Sequence, residues 1–174
     1  FLDELSKEAK AINAVNTIVF ESSGKIIGHN TDYIGFKKAL EEQYKSNPEN
    51  ALILGSGGAS EAIKFVFKKI GCDFKIVSRF PSKDQLSYDQ LSEKIIKKTD
   101  IIVNASPIGT YPNIMEAPNI PYKYLDSKHL LFDLIYNPKE TEFLRKGKLY
   151  GSKVSNGLKM LKYQADKSWE LWST

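Results

Sequence analysis

In the segment Leu52-Ile53-Leu54-Gly55-Ser56-Gly57-Gly58-Ala59-Ser60-Glu61-Ala62, an apolar run is cut by three glycines and followed at once by a helical pattern. That order predicts a strand, a loop able to hold phosphate, and a helix. A tight turn off a strand needs a residue without a Cβ, and a pyrophosphate reaches the backbone only where no side chain blocks it. Gly55, Gly57 and Gly58 meet both needs, with Ser56 and Ala59 as small neighbours, and the amides of Gly58, Ala59 and Ser60 are expected at the positive end of the helix. The spacing departs from the common G-x-G-x-x-G, since Ser60 replaces the third glycine and Gly58 is extra. An ordinary strand-to-helix turn is the competing reading.

Roughly twenty residues beyond such a loop, a NAD site places a carboxylate on the ribose. Here the strand expected over 74–77 runs into Ser78-Arg79, and no carboxylate follows it directly. Arg79 offers a planar fork suited to a 2′-phosphate, and Lys83 adds a second positive charge four residues on. The alternative is that both are surface charges in a chain with 25 Lys and Arg. Two more strand ends carry candidate chemistry. Asn104-Ala105-Ser106-Pro107-Ile108-Gly109 puts small residues and a proline-fixed turn where the rest of a dinucleotide would lie, or is a plain turn. Tyr136, after the run at 130–134, faces the same cleft or belongs to the core.

These residues need a scaffold that brings several strand ends together. Strand-like runs fall at 15–20 and 25–28, joined as a hairpin, then at 52–54, 74–77, 101–104, 130–134 and 151–154, with helical patterns between the later ones. A helix opens the chain with Leu2, Leu5, Ala9 and Ile12 on one face, a second runs from Thr31 or Asp32 to about Tyr44, and a long one closes it from Gly157 to Trp172. The fold class expected is α/β, a Rossmann-like doubly wound, mostly parallel sheet preceded by a remnant of a smaller α/β domain. Ligands of such sheets bind at the carboxyl ends of the strands.

Composition fits this without choosing a ligand. In 174 residues, 41% are hydrophobic and 26% charged, as in a globular protein. No apolar run approaches the ~20 residues of a membrane span, so no membrane partner is expected. The net charge of +4 comes from scattered lysines such as Lys94, Lys97 and Lys98, a solvated face that argues against nucleic acid. Cys72 is the only cysteine and has no neighbour at metal-ligand spacing, so neither a disulfide nor a metal is expected, and a cytoplasmic location is. The chain starts at Phe1 and enters directly into a helical pattern, from which an upstream segment is expected.

Six segments, in order and spacing, resemble the shikimate dehydrogenase family: Ala14-Val15-Asn16-Thr17, Gly28-His29-Asn30-Thr31-Asp32, Gly55 to Ser60, Asn104-Ala105-Ser106-Pro107, Asp133-Leu134-Ile135-Tyr136-Asn137-Pro138, and Gly157-Leu158-Lys159-Met160-Leu161-Lys162-Tyr163-Gln164-Ala165. The resemblance implies NADP-dependent, reversible reduction of 3-dehydroshikimate to shikimate on the route to aromatic amino acids, by a monomer or homodimer acting on a small molecule. It implies residues 1–31 as the end of the substrate domain, 32–156 as the NADP-binding domain, and 157–174 as a helix closing back. Asp32 resembles the catalytic carboxylate, and Asn16, Tyr136 and Gln164 the substrate contacts. Ser78, Arg79 and Lys83 resemble the adenosine-phosphate clamp, Asn104 and Ser106 lie on the cofactor side, and Gly157 approaches the nicotinamide amide.

A carbonyl taking up a hydride needs a proton donor in reach, and a carboxylate alone is a poor one. The resemblance pairs Asp32 with a lysine from a motif upstream of this chain, together with hydroxyls that grip the substrate carboxylate. A helix N-cap role for Asp32 is the bland alternative. The family's usual Asn-Arg-Thr clamp reads Ser78-Arg79-Phe80 here, so a donor is lost at Phe80; Asn13, Tyr33 and Thr110 also depart from the usual Gly, Gly and Met. Two rivals stay open. A quinate-acting relative accepting NAD is one, and a nucleotide-binding module without catalysis is the other.

Overall fold

Two polar side chains decide how the chain opens. Asp3 Oδ2 accepts from the Ile26 amide at 2.8 Å, and Ser6 Oγ accepts from the Ala9 amide at 3.1 Å. The first ties residues 3–5 alongside a strand and the second starts a helix, so the order is β1 (Glu4–Leu5) then α1 (Lys7–Ile12). The single opening helix expected from Leu2, Leu5, Ala9 and Ile12 is therefore corrected: only Ala9 and Ile12 are on the buried helical face, while Leu2 and Leu5 are exposed. Next come β2 (Thr17–Phe20) and β3 (Ile26–His29), which pair antiparallel, with β1 parallel on the other side of β3. The structure is a computed structural model and describes residues 1–44 and 46–173.

From α2 (Asp32–Glu41) onward the pattern alternates: β4 (Asn50–Leu54), α3 (Gly58–Ile70), β5 (Asp73–Val77), α4 (Glu93–Lys98), β6 (Ile101–Asn104), β7 (Leu130–Asp133), α5 (Glu142–Leu149), β8 (Lys153–Ser155) and α6 (Leu158–Trp172). The five strands β4 to β8 form one parallel sheet in the order β5-β4-β6-β7-β8. Apolar strands in such a sheet bury both faces. Ala51, Ile53, Ile101, Val103, Leu130 and Phe132 point to α2, α3 and α6, where Phe36 meets Phe67 and Phe132 edge to face at 5.5 and 5.2 Å. Leu52, Leu54, Ile102 and Leu131 point the other way, to Ile96 of α4 and Phe143 and Leu144 of α5. The α/β doubly wound expectation holds.

Between β6 and β7 the expected helix is missing. Pro107, Pro112, Pro118 and Pro121 fall in that connection, each without an amide to donate, and only a 3₁₀ turn at Tyr122–Tyr124 forms. The sheet's order reverses at β4, whose chain leads to β5 on one side while β6 lies on the other. A crevice opens there at the carboxyl ends. Among the described residues no helix is long and apolar enough to cross a membrane.

Helices α2 and α6 lie in direct contact because α2 carries a glycine at the crossing. A Cβ on Gly35 would stand 2.5 Å from the Met160 carbonyl oxygen and 3.0 Å from Gln164 Cβ. We expect Gly35→Ala to lower unfolding free energy by about 1–3 kcal/mol, despite alanine's better helix propensity, because backbone has to shift. Urea unfolding of both forms tests this, and a stabilised variant would mean the helices are not pinned here.

Candidate functional site

The glycine loop leaves β4 at Gly55, which sits at φ +113°, a conformation L side chains rarely adopt, and a Cβ there would press on the Ala105 carbonyl at 3.0 Å. Gly57 and Gly58 need no special φ, and a Cβ on either would meet no atom within 4 Å. What they provide is open approach to the amides that begin α3. The amides of Gly58 and Ala59, the first two residues of α3, have no carbonyl partner within the helix. Ser60 differs: its amide donates to the Gly57 carbonyl at 2.9 Å and its Oγ to the same oxygen at 2.6 Å, which removes it from the set of free donors expected from the sequence.

A cleft of about 240 Å³ opens over this loop, lined by Gly55, Ser56 and Gly57, by residues 78–80 after β5 with Tyr88, and by residues 105–108 after β6. That is below the ~300–1,000 Å³ of a site for a whole drug-sized ligand, and suits one nucleotide end of an extended molecule. Arg79 is the only charged side chain in its lining, and no carboxylate opposes it. Ser78 is buried, its Oγ accepting from the Phe80 amide at 3.2 Å, so the turn holding Arg79 outward is fixed. Lys83 is exposed and does not line the cleft, which leaves Arg79 without the lysine partner expected there. A phosphate-bearing dinucleotide fits these residues: amides at a helix start, unobstructed glycines and one unopposed guanidinium.

Under the cleft lies a buried polar cluster. Asn104 and Asp133 are both 0% exposed. Asn104 Nδ2 donates to Asp133 Oδ1 at 3.1 Å and to the Ile108 carbonyl at 3.2 Å, while its Oδ1 accepts from the Ser106 hydroxyl at 2.7 Å and amide at 3.2 Å. Its side chain thus reaches the cleft only through Ser106, and it shapes the 105–108 loop from beneath. Asp133 further accepts from the Thr141 hydroxyl at 2.5 Å and the Ile135 amide at 3.1 Å. Burial pushes its carboxyl up to about 6, and the Thr141, Ile135 and Asn104 donors only partly offset this.

A second cluster joins the two sheets. The Thr31 amide donates to Asn16 Oδ1 at 2.8 Å, and because only oxygen accepts, Asn16 Nδ2 is turned the other way. Three hydroxyls connect this point to α6: Thr17 to Ser168 at 2.8 Å, Ser168 to Thr31 at 3.0 Å, and Thr31 to Gln164 Oε1 at 3.1 Å. The Thr31 hydroxyl is within donating distance of both Gln164 Oε1 and Asn16 Oδ1, and Ser168 Oγ donates to the Gln164 carbonyl at 3.0 Å; with Oε1 accepting, Gln164 Nε2 is left to donate elsewhere. Asp32 is beside them as the first residue of α2. Burial raises its carboxyl above the usual range, and the Asn16 side chain draws it back down. No cation among the described residues enters that balance. Thr31 occupies the N-cap position with no side-chain cap bond, and the weak cap comes from Asn30, whose Oδ1 accepts from the Tyr33 amide at 3.4 Å. The N-cap reading of Asp32 is thereby corrected, since Asn30 and not Asp32 takes the job.

Gly157 connects the clusters. A Cβ on it would stand 2.0 Å from the Leu134 carbonyl, and its amide donates to the Ile135 carbonyl at 3.1 Å, so α6 starts against the end of β7 and carries Gln164 across to Asn16 and Asp32. Gly157 thus serves a contact within the chain. Tyr136 is exposed and does not line the glycine-loop cleft. Ser168, Thr141 and Tyr88 were not singled out from sequence, whereas Thr17, Thr31 and Asp133 stood in the segments that carry the family resemblance without a site role of their own. Of the first three only Ser168 had a usable signal: it lies four residues after Gln164, on the same helix face.

Fold and clefts together define an α/β nucleotide-binding protein with a polar, carboxylate-bearing site next to its phosphate cleft. No family model matches the chain. Two curated proteins named shikimate dehydrogenase (NADP(+)) are similar along nearly its whole length: one from Methanococcus maripaludis, 42% identical over 188 residues, covering 99% of this chain and 66% of the relative, and one from Methanocaldococcus jannaschii, 39% identical over 190 residues, covering 99% and 67%. The crystal structure of shikimate 5-dehydrogenase from Thermus thermophilus in complex with NADP(H) and shikimate superposes with a TM-score of 0.85 at 31% identity, over 99% of this chain and 67% of that one. The chain belongs to the shikimate dehydrogenase family. It spans about two thirds of the length of these relatives.

Asp133 gives a stability prediction with a definite sign. Its folded carboxyl holds a proton up to about 6 against 3.8 ordinarily, so the stability it contributes is present below 3.8 and lost as pH rises through 6. The loss is at most about 3 kcal/mol. Asp32 acts with the same sign. Asp133→Asn is expected to reduce, without abolishing, the fall in urea-unfolding free energy between pH 4 and 7; an unchanged slope would remove Asp133 as its source.

Proposed function

We propose that the chain forms the NADP-binding part and one wall of the substrate site of an enzyme interconverting 3-dehydroshikimate and shikimate. The observation that carries this is the pairing of a phosphate cleft whose sole charge is Arg79 with the Asn16, Asp32 and Gln164 cluster across α6. The family's name and the ligands of the Thermus relative point the same way. Residues 1–31 are read as the end of the substrate domain, 32–156 as the cofactor domain and 157–174 as the closing helix.

When bound, NADP supplies or removes the hydride. Everything else is positioning and proton handling. The Gly58 and Ala59 amides hold the pyrophosphate, Arg79 holds the 2′-phosphate, and Ser106 borders the path between them and the substrate. Gln164 Nε2 donates to a hydroxyl oxygen of a polyol ring, and Asn16, its side chain hydrogen-bonded to Asp32, borders the same ring and orients that carboxylate. Asp32 accepts from a ring hydroxyl next to the reacting carbon. Its elevated pKa disfavours the anion, so a cation brought beside it would be strongly attracted, and the pair would move the proton that the carbonyl oxygen needs. Tyr136, exposed shortly after β7, is read as bordering the ring.

Two measurements test this. The 174-residue chain is expected to bind NADPH about ten to a hundred times more tightly than NADH, because charge-assisted hydrogen bonds to one phosphate contribute roughly 1.5–3 kcal/mol. Calorimetric titration that finds equal affinities would remove the Arg79 clamp. In a polypeptide of full family length, Asp32→Asn is expected to slow single-turnover hydride transfer at least about a hundredfold while NADPH affinity stays within about threefold. Near-normal turnover would move the catalytic centre away from Asp32.

A further inference from the structure

Tyr88 stands beside Arg79 for a reason rooted in strand register. The chain leaves β5 after Val77 and loops out. It then returns so that Leu86 runs parallel to Val77, with Leu86 N donating to the Ile76 carbonyl at 2.8 Å and Ser78 N to the Leu86 carbonyl at 2.9 Å. Parallel neighbours advance together at a spacing of ~4.8 Å, so two residues beyond this bridge Tyr88 draws level with Arg79. The Ser87 amide donates to Gln90 Oε1 at 2.8 Å and closes a single 3₁₀ turn over Tyr88–Gln90 that fixes the ring. The ring is half-buried on the apolar cluster under the sheet, and the residue lines the phosphate cleft.

The phenol has no hydrogen-bond partner among the described residues; around it Ser78 Oγ accepts from Phe80 N, Ser106 Oγ donates to Asn104, Arg79 carries the charge, and the Ser56 hydroxyl stands across the cleft on the glycine loop. Phe80, 88% exposed at the lip, has no polar side-chain atom to offer. We propose that the Tyr88 hydroxyl is a specificity-determining donor to the 2′-phosphate of NADP, supplying from the returning segment the neutral donor that Phe80 lacks. The assignment rests on the cleft being the NADP site. Burial pushes the phenol up, with the Arg79 charge drawing it down only in part, so it keeps its proton and donates at neutral pH.

Tyr88→Phe removes only the hydroxyl and keeps the buried ring, so the test is calorimetric titration of both forms of the chain with NADPH, NADH and, as a minimal probe, 2′-AMP against 5′-AMP. We expect NADPH and 2′-AMP to bind about tenfold more weakly to the variant, with NADH and 5′-AMP within about twofold of wild type. Unchanged NADPH affinity overturns the proposal. So does an equal loss for both cofactors, which would make Tyr88 a contact to the base or ribose shared by the two. If wild type binds neither cofactor, the reading of the cleft itself falls and takes this one with it, a result distinct from a wild type that prefers NADPH and a variant that prefers it equally.

Discussion

Two backbone carbonyls, of Leu134 and Met160, leave no room for a side chain at Gly157 and Gly35, and the geometry of both sites follows from that exclusion. Gly157 lets α6 begin against the end of β7, on the carboxyl side of the sheet where ligands of parallel sheets bind. Gly35 lets α6 lie close along α2. A helix held at these two points has little freedom left, and Gln164 and Ser168 are carried to the first turn of α2 and to β2. A Cβ at either glycine would press α6 outward and open the hydroxyl path before it touched the phosphate cleft. Position of the polar groups is thus set by backbone contact, which is stiffer than any contact between flexible side chains.

The polar groups themselves follow one rule in both clusters: inward atoms are engaged by the chain. Asn16 Oδ1 accepts from the Thr31 amide while its nitrogen serves Asp32, Gln164 Oε1 accepts from the chain, and Ser106 donates to Asn104 and accepts from the Ile108 amide. Among the described residues no buried side-chain nitrogen or oxygen lacks a partner. Asp133 carries this furthest, with a 0% exposed carboxyl accepting three hydrogen bonds. It fastens β6, the turn after β7 and the start of α5 to one another, and the loop bearing Ser106 stands on that junction. Desolvation outweighs even three donors, which is why its proton is held to about 6.

What the sequence revealed and what it hid divide along contact range. The glycine loop and the position of Arg79 on the same cleft were legible because both follow from short offsets in consecutive strand-loop-helix units. The mostly parallel sheet was legible from apolar runs of strand length. Hidden were the features made by distant segments: Thr17 meets Ser168 across 151 positions, and Asp3 fixes Ile26 across 23, turning an apparent helical face into a strand. Lys83 looked equivalent to a clamp residue because spacing counts positions and not the path of the loop between them. Tyr88 was hidden for the same reason, since the excursion after β5 brings residue 88, nine positions on, beside Arg79.

The two sites differ in electrostatic completeness, and the difference bears on what kind of site each is. Arg79 is a cation at an exposed rim, solvated and stable without a counter-ion, and the only charged residue among those described that line its cleft. Asp32 is a partly buried carboxylate with the Asn16 amide beside it and no positive charge of the described residues shifting it, and burial raises its pKa. A structural carboxylate in that position would be expected to cap a helix or pair with a base, and it does neither, because Asn30 takes the cap and no cation of the described residues reaches it. Local rules of stability are broken where function requires it. A partly dehydrated carboxylate whose hydrogen-bond partner is the Asn16 side chain is poorly built for holding the fold, and it is on this that the proposed substrate contact at the start of α2 rests, with the glycine loop proposed for the cofactor.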